Sequence, residues 1–85
     1  MFVIRNVANL VPPYSPDGRA HGVSAALEYA LKVLHVENIV VLGHSHCGGI
    51  ESFMNDTCNA FEFMGPWMAS VKEAKEQTLK FILLT

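Results

Sequence analysis

Two cysteines, two arginines and one tryptophan are all that the 85 residues contain of those types. Cys47 and Cys58 could form one disulfide at most, which excludes a secreted scaffold stapled by several bridges. Positive charge is scarce as well, with Lys+Arg 6 against Asp+Glu 8 and a formal net charge of −2. The lysines are scattered, so no basic face is offered and a nucleic-acid partner is not expected. No apolar run approaches the roughly 20 residues that cross a bilayer, so no membrane partner is expected either. The opening M-F-V-I-R-N lacks a basic flank and meets Arg5 too early for a secretory signal, which leads us to expect a cytoplasmic chain in a reducing compartment. Repeats, low-complexity runs and linkers are also missing, so residues 1–85 read as one small domain.

Apolar residues, by contrast, are plentiful. They make up 51% of the chain, which suits a folded protein rather than a disordered one. A chain this short hides only about 60–65% of its unfolded surface, enough for one small core. The densest information lies in Ile39 to Gly49, which reads I-V-V-L-G-H-S-H-C-G-G. A β-branched run bounded by glycine predicts a buried strand, Ile39–Leu42. Gly48 and Gly49 then permit a tight turn or a close backbone approach. His44 and Cys47 stand at H-x-x-C spacing, and Zn²⁺ favours such nitrogen and thiolate donors. Two donors alone also fit a plain strand–turn–helix junction with a buried cysteine and exposed histidines, because a zinc site needs a third protein ligand.

Elsewhere, Phe2–Asn6 reads as a strand. Residues 7–20 read as a loop, because prolines at 12 and 13 remove ladder donors and Ser15-Pro16-Asp17-Gly18 is turn chemistry. Val23–Leu34 reads as a helix, with Val23, Ala26, Leu27, Ala30, Leu31 and Leu34 on one face, Ser24 as a cap, and Glu28 and Lys32 as an i,i+4 pair. A short helix is expected at Ile50–Met54, ended by Asn55-Asp56-Thr57. A last helix should open at Gly65-Pro66, with Trp67, Val71, Ala74 and Thr78 aligned, extended by Leu79 and Ile82. Trp67 and Met68 are expected in the core. The order strand, loop, helix, strand predicts an α/β fold with a partial parallel sheet and flanking helices, in which Val23–Leu34 packs on Ile39–Leu42.

Three stretches together resemble the β-class carbonic anhydrases. R-N-V-A-N-L-V at Arg5–Val11 is similar to the family's strand-and-loop segment, H-G-V-S-A-A-L-E-Y-A at His21–Ala30 to its following helix, and V-V-L-G-H-S-H-C-G-G at Val40–Gly49 to its zinc-binding turn. G-P-W-M at Gly65–Met68 fits a subset of the family. Residues 2–75 are covered in the right order. The resemblance implies a zinc-dependent lyase, a carbonate dehydratase that hydrates carbon dioxide reversibly to bicarbonate. It places two Zn²⁺ ligands on His44 and Cys47, and Cys47 would bind as thiolate. Gly48 and Gly49 become candidates for bicarbonate contacts, with turn formation as the alternative. His46 is not a family ligand position and is expected to face solvent, with proton transfer as a lesser role.

The chain departs from the family in having no C-x-D-x-R motif, which carries a further zinc cysteine and an Asp–Arg pair. The expectation is therefore the middle part of a carbonic anhydrase domain, incomplete at both ends, from a split, mis-started or truncated gene, with impaired hydration. Cys58 is the one other cysteine that could reach the metal, although an inert buried thiol fits it better. His21 and His35 read as ordinary, partly exposed histidines. Once its domain is completed, such a protein would be a homo-oligomer. The alternative function is a non-catalytic zinc-binding relic or interaction module. A small redox protein is disfavoured because no C-x-x-C is present.

Overall fold

A computed structural model describes residues 1–84. The chain divides into two units, Met1–Gly43 and a second that begins at His44, and each is described by itself.

In the first unit, Val7–Asn9 forms a single 3₁₀ turn. Ala8 and Asn9 take positive φ values of 64° and 51°. The Asn6 side chain closes this turn. Its Oδ1 accepts from the Leu10 N–H at 2.6 Å and its Nδ2 donates to the Leu10 carbonyl at 3.0 Å. That double bond satisfies the backbone of Leu10, whose side chain is buried. Helix α1 spans Gly22–Glu28 and widens into a π-helical turn over Tyr29–Val33. It starts on the His21 carbonyl, which accepts from Ala25, and Ser24 lies inside it rather than capping it. The widening changes which residues share a face. Val23, Ala26 and Leu27 are half-buried and Ala30 is buried, whereas Leu31 and Leu34 turn out to solvent. The π turn, seen in the Leu34 N–H bond to the Tyr29 carbonyl at 3.0 Å, inserts the extra residue that rotates them off the apolar stripe. His35 then takes φ 52° at the helix end, a position where glycine is usual. Glu28 and Lys32 do pair, at 3.6 Å, but both are exposed and the pair adds only a few tenths of a kcal/mol.

The expected parallel sheet is not formed. Among the described residues there is no strand, and the unit is helical and irregular. Phe2–Asn6 keeps a strand-like alternation, since Phe2, Ile4 and Asn6 line a cavity while Val3 and Arg5 face out. Ile39, Val40 and Val41 line the same cavity, of about 130 Å³, together with Val23, Leu27 and Ala30 of the α1 helix and its π turn. Paired strands must sit about 4.8 Å apart to exchange hydrogen bonds. Here the two segments share a void instead of a ladder. The α/β assignment is thus corrected: the helix faces the 39–42 run across a cavity, and that run is not a strand of any sheet.

The second unit is built from α2 (Gly48–Met54), a 3₁₀ turn at Thr57–Ala60, α3 (Met64–Met68), a 3₁₀ turn at Ala69–Val71 and α4 (Lys72–Leu84). Its core is Phe53, Cys58 and Met68, the last two fully buried. Met68 is core as the sequence leads one to expect, while Trp67 is half-buried. A Cβ at Gly65 would stand 3.4 Å from the Cys58 carbonyl oxygen, an ordinary van der Waals contact, so packing does not by itself demand glycine there. The final helix is broken by its 3₁₀ turn, and its expected apolar face is largely exposed at Ala74, Thr78, Leu79 and Ile82. What ties α4 down is polar. Lys75 Nζ donates to the Phe53 carbonyl at 2.6 Å and to Asp56 Oδ1 at 2.7 Å, and sits 4.8 Å from the centre of the Phe53 ring.

Candidate metal centre

The residues His44 to Gly49 form one turn and the first residues of one helix, all within the second unit. Ser45 and His46 make the turn, and α2 begins at Gly48 with Cys47 as its N-cap residue. The Glu51 N–H bonds to the Cys47 carbonyl at 3.0 Å, which fixes Cys47 to the start of the helix. The tight backbone conformation falls on His46, at φ 56°, and not on the two glycines. A residue in this left-handed region stores roughly 1–2 kcal/mol unless it is glycine. Gly48 has open space where a Cβ would stand, so no close approach explains it. The Gly49 carbonyl accepts from Ser52 Oγ at 2.8 Å, a bond internal to α2.

His44 is exposed and Cys47 is half-buried with a free thiol. His44 Nδ1 lies 2.7 Å from the Ser45 carbonyl oxygen. A carbonyl oxygen can only accept, so Nδ1 carries the hydrogen, and in the neutral ring this makes Nε2 the nitrogen with the lone pair. Metal-bound imidazoles are commonly held in this way, by a carbonyl on the nitrogen that does not bind. The local chain therefore presents one imidazole nitrogen and one thiol three residues apart. These donors suit Zn²⁺ in kind and fall short in number, because a catalytic zinc takes three protein ligands. Among the described residues, no three His, Cys, Asp or Glu side chains gather to hold a metal ion.

The other candidates stand apart. Cys58 is fully buried and free, with Sγ 3.9 Å from Asn59 Oδ1. It is a core thiol and does not join His44 and Cys47. His46 faces solvent, as does His35. His21 Nε2 pairs with Asp17 Oδ1 at 2.7 Å. That bond, followed by one from the Arg19 N–H, holds the Asp17 carboxyl below the ordinary Asp range. The feature that the sequence did not reveal is the carbonyl partner of His44. Its only advance signal was a short residue beside the histidine, which many turns also have.

No helix among the described residues is long and apolar enough to cross a membrane. No solved structure matches the chain. Among curated proteins it is 46% identical over 79 residues to "Beta carbonic anhydrase 5, chloroplastic" of Arabidopsis thaliana, a match that covers 91% of this chain and 26% of that protein. It is 45% identical over 80 residues to "Beta carbonic anhydrase 3" of the same plant, covering 89% of this chain and 31% of that protein. The chain thus spans less than a third of the length of these relatives. A family model described as carbonic anhydrase matches residues 1–82, nearly the whole chain, and with the two β-class relatives it establishes that the chain belongs to the carbonic anhydrase family, in its β class.

Proposed function

We infer that this chain carries part of a zinc site for the reversible hydration of carbon dioxide to bicarbonate, with His44 Nε2 and the Cys47 thiolate as two of the ligands. The observation that carries this is the hydrogen bond from His44 Nδ1 to the Ser45 carbonyl, which leaves Nε2 available three residues before Cys47 in sequence. The family and the names of both relatives support the same reading. A zinc ion held by His44 and Cys47 would supply the Lewis acidity that lets water act as a nucleophile near neutral pH. The chain's own residues do the positioning. Ser45 orients the imidazole, and the first turn of α2 anchors Cys47. The N–H groups of Gly48 and Gly49 are among those a helix leaves without internal partners. Beyond its chain neighbours and its own helix backbone, nothing lies within 4 Å of where a Gly48 side chain would begin, which leaves open space beside this helix start.

With two of the ligands assigned, to His44 and Cys47, hydration by this chain should be weak. The second reading, a non-catalytic zinc-binding module, is favoured by the same shortage of a third donor. Zinc content separates both readings from a chain that binds no metal. The purified protein, loaded with zinc and desalted, should retain metal, and Cys47→Ser and His44→Ala should each lower the stoichiometry measured by mass spectrometry. Unchanged stoichiometry in both variants sinks the assignment.

A further inference from the structure

Lys75 is set deep for a lysine. Its side chain is 13% exposed, and lysines are almost never buried unless they are paired. Its ammonium spans the carboxyl end of α2. Nζ donates to the Phe53 carbonyl at 2.6 Å and to Asp56 Oδ1 at 2.7 Å, above the Phe53 ring. Between those two acceptors the chain leaves the helix. Asn55 closes α2, Asp56 takes φ 64°, and the Asp56 N–H returns to the Phe53 carbonyl at 3.2 Å. A left-handed residue that ends a helix is usually glycine, and an aspartate there is strained. Lys75 therefore clamps both sides of a strained helix stop, and its positive charge suits a helix carboxyl end.

We propose that Lys75 is a positioning residue for the metal centre, which holds Cys47 in place by clamping the far end of the helix that Cys47 begins. The proposal rests on the zinc reading of His44 and Cys47 given above. Helix α2 has seven residues. That is about two turns and a rise of roughly 10 Å. Isolated helices shorter than about 12–15 residues are marginal, so α2 depends on what it packs against and opens as a unit. Cys47 makes no side-chain cap bond at the amino end. The anchors lie at the other end, in the buried Phe53 side chain and the Lys75 clamp. Cys47 is tied to these anchors through the Glu51 N–H bond to its carbonyl. When α2 opens, that bond is lost. The thiol must then be ordered again as a metal binds, and the ordering lowers affinity. Lys75 acts through the helix and supplies no ligand.

Two measurements on the full chain test this. Without metal, exchange of the Glu51 amide, followed by NMR, reports whether α2 still holds Cys47. With metal, competition against a chromophoric chelator gives the zinc dissociation constant. Lys75→Met removes the charge and the donor and keeps an unbranched chain. It should speed the Glu51 exchange about tenfold or more and raise the zinc dissociation constant by about the same factor. Should it lose the helical circular dichroism signal, Lys75→Gln, which keeps a neutral donor, takes its place. Lys80→Gly, further along α4, removes the same charge and weakens the same helix, and it should leave both values within about twofold. Asp56→Gly relieves the left-handed strain. Added to Lys75→Met, it should bring both values back to within about threefold of the parent chain, a recovery that a general loss of stability in α4 does not allow.

Unchanged Glu51 exchange in Lys75→Met overturns the proposal, and so does a Lys80→Gly variant as impaired as Lys75→Met. Faster exchange with an unchanged zinc constant, while Cys47→Ser still weakens zinc binding, overturns the proposal and leaves the metal centre standing. Zinc binding indifferent to both Cys47→Ser and His44→Ala overturns the metal centre itself, and the proposal with it.

Discussion

At the scale of single residues, the H-x-x-C spacing was legible and the conformation that joins the two donors was not. Two glycines after Cys47 drew the expectation of a tight turn, yet the left-handed residue is His46. Sequence spacing cannot distinguish these, because histidine tolerates a positive φ well enough to appear there. The cost has a direction that can be measured. His46→Gly should leave stability unchanged or raise it by up to about 1 kcal/mol, since the strain it removes is partly offset by glycine's freer unfolded state. His46→Val should lose about 1–2 kcal/mol or more, because a β-branched side chain fits this region worst. Urea midpoints of the two variants test the difference. Zinc retained by His46→Gly would further show that His46 is not itself a ligand. Equal destabilisation by both changes would place the role of His46 in its imidazole rather than in its backbone.

Among the elements, helices were readable and strands were not. Val23–Leu34 has a 3.6-residue apolar rhythm, and helix formation satisfies its own backbone bonds within the segment. The π turn at Tyr29–Val33 left no trace in that rhythm and moved Leu31 and Leu34 to the outside. Phe2–Asn6 and Ile39–Leu42 have the composition of strands, but a strand's bonds come from a neighbour, which composition does not supply. The last helix shows the converse. Its apolar face is largely exposed, and Lys75 anchors it to the end of α2. The two bonds of Lys75 are unequal in value. The Lys75 side chain is 13% exposed and that of Asp56 is 68% exposed, so solvent screens the ion pair and leaves it below about 1 kcal/mol. The bond to the Phe53 carbonyl caps a helix end with a charged donor, a class worth about 1.5–3 kcal/mol. Lys75→Met should therefore cost more than Asp56→Asn, by about 1–2 kcal/mol in chemical denaturation. Equal losses would assign the anchor to the ion pair.

For the molecule as a whole, the family was legible because motif order survives in a short chain, while the sheet was not, because sheet formation depends on partners in space. The same distinction bears on activity. The chain spans 26% and 31% of its relatives, and among its described residues no three metal donors gather. A catalytic zinc takes three protein ligands and keeps one open position. With one protein ligand fewer, His44 and Cys47 would hold a zinc ion less tightly and its acidifying effect on water would be less well tuned. His44 is exposed, so water would not be excluded from a metal held there. Each effect lowers turnover, and none removes the donors. The expectation is a chain that binds zinc through His44 and Cys47 yet hydrates carbon dioxide little faster than zinc in buffer. Stopped-flow hydration with a pH indicator, on the zinc-loaded chain and its Cys47→Ser variant, measures this directly. Turnover above about 1 s⁻¹, the floor of ordinary enzymes, abolished by Cys47→Ser, would refute it. The missing donor would then have to come from a residue brought in by association. Repeating the assay over a wide range of protein concentration would test this, since turnover per chain would then rise with concentration.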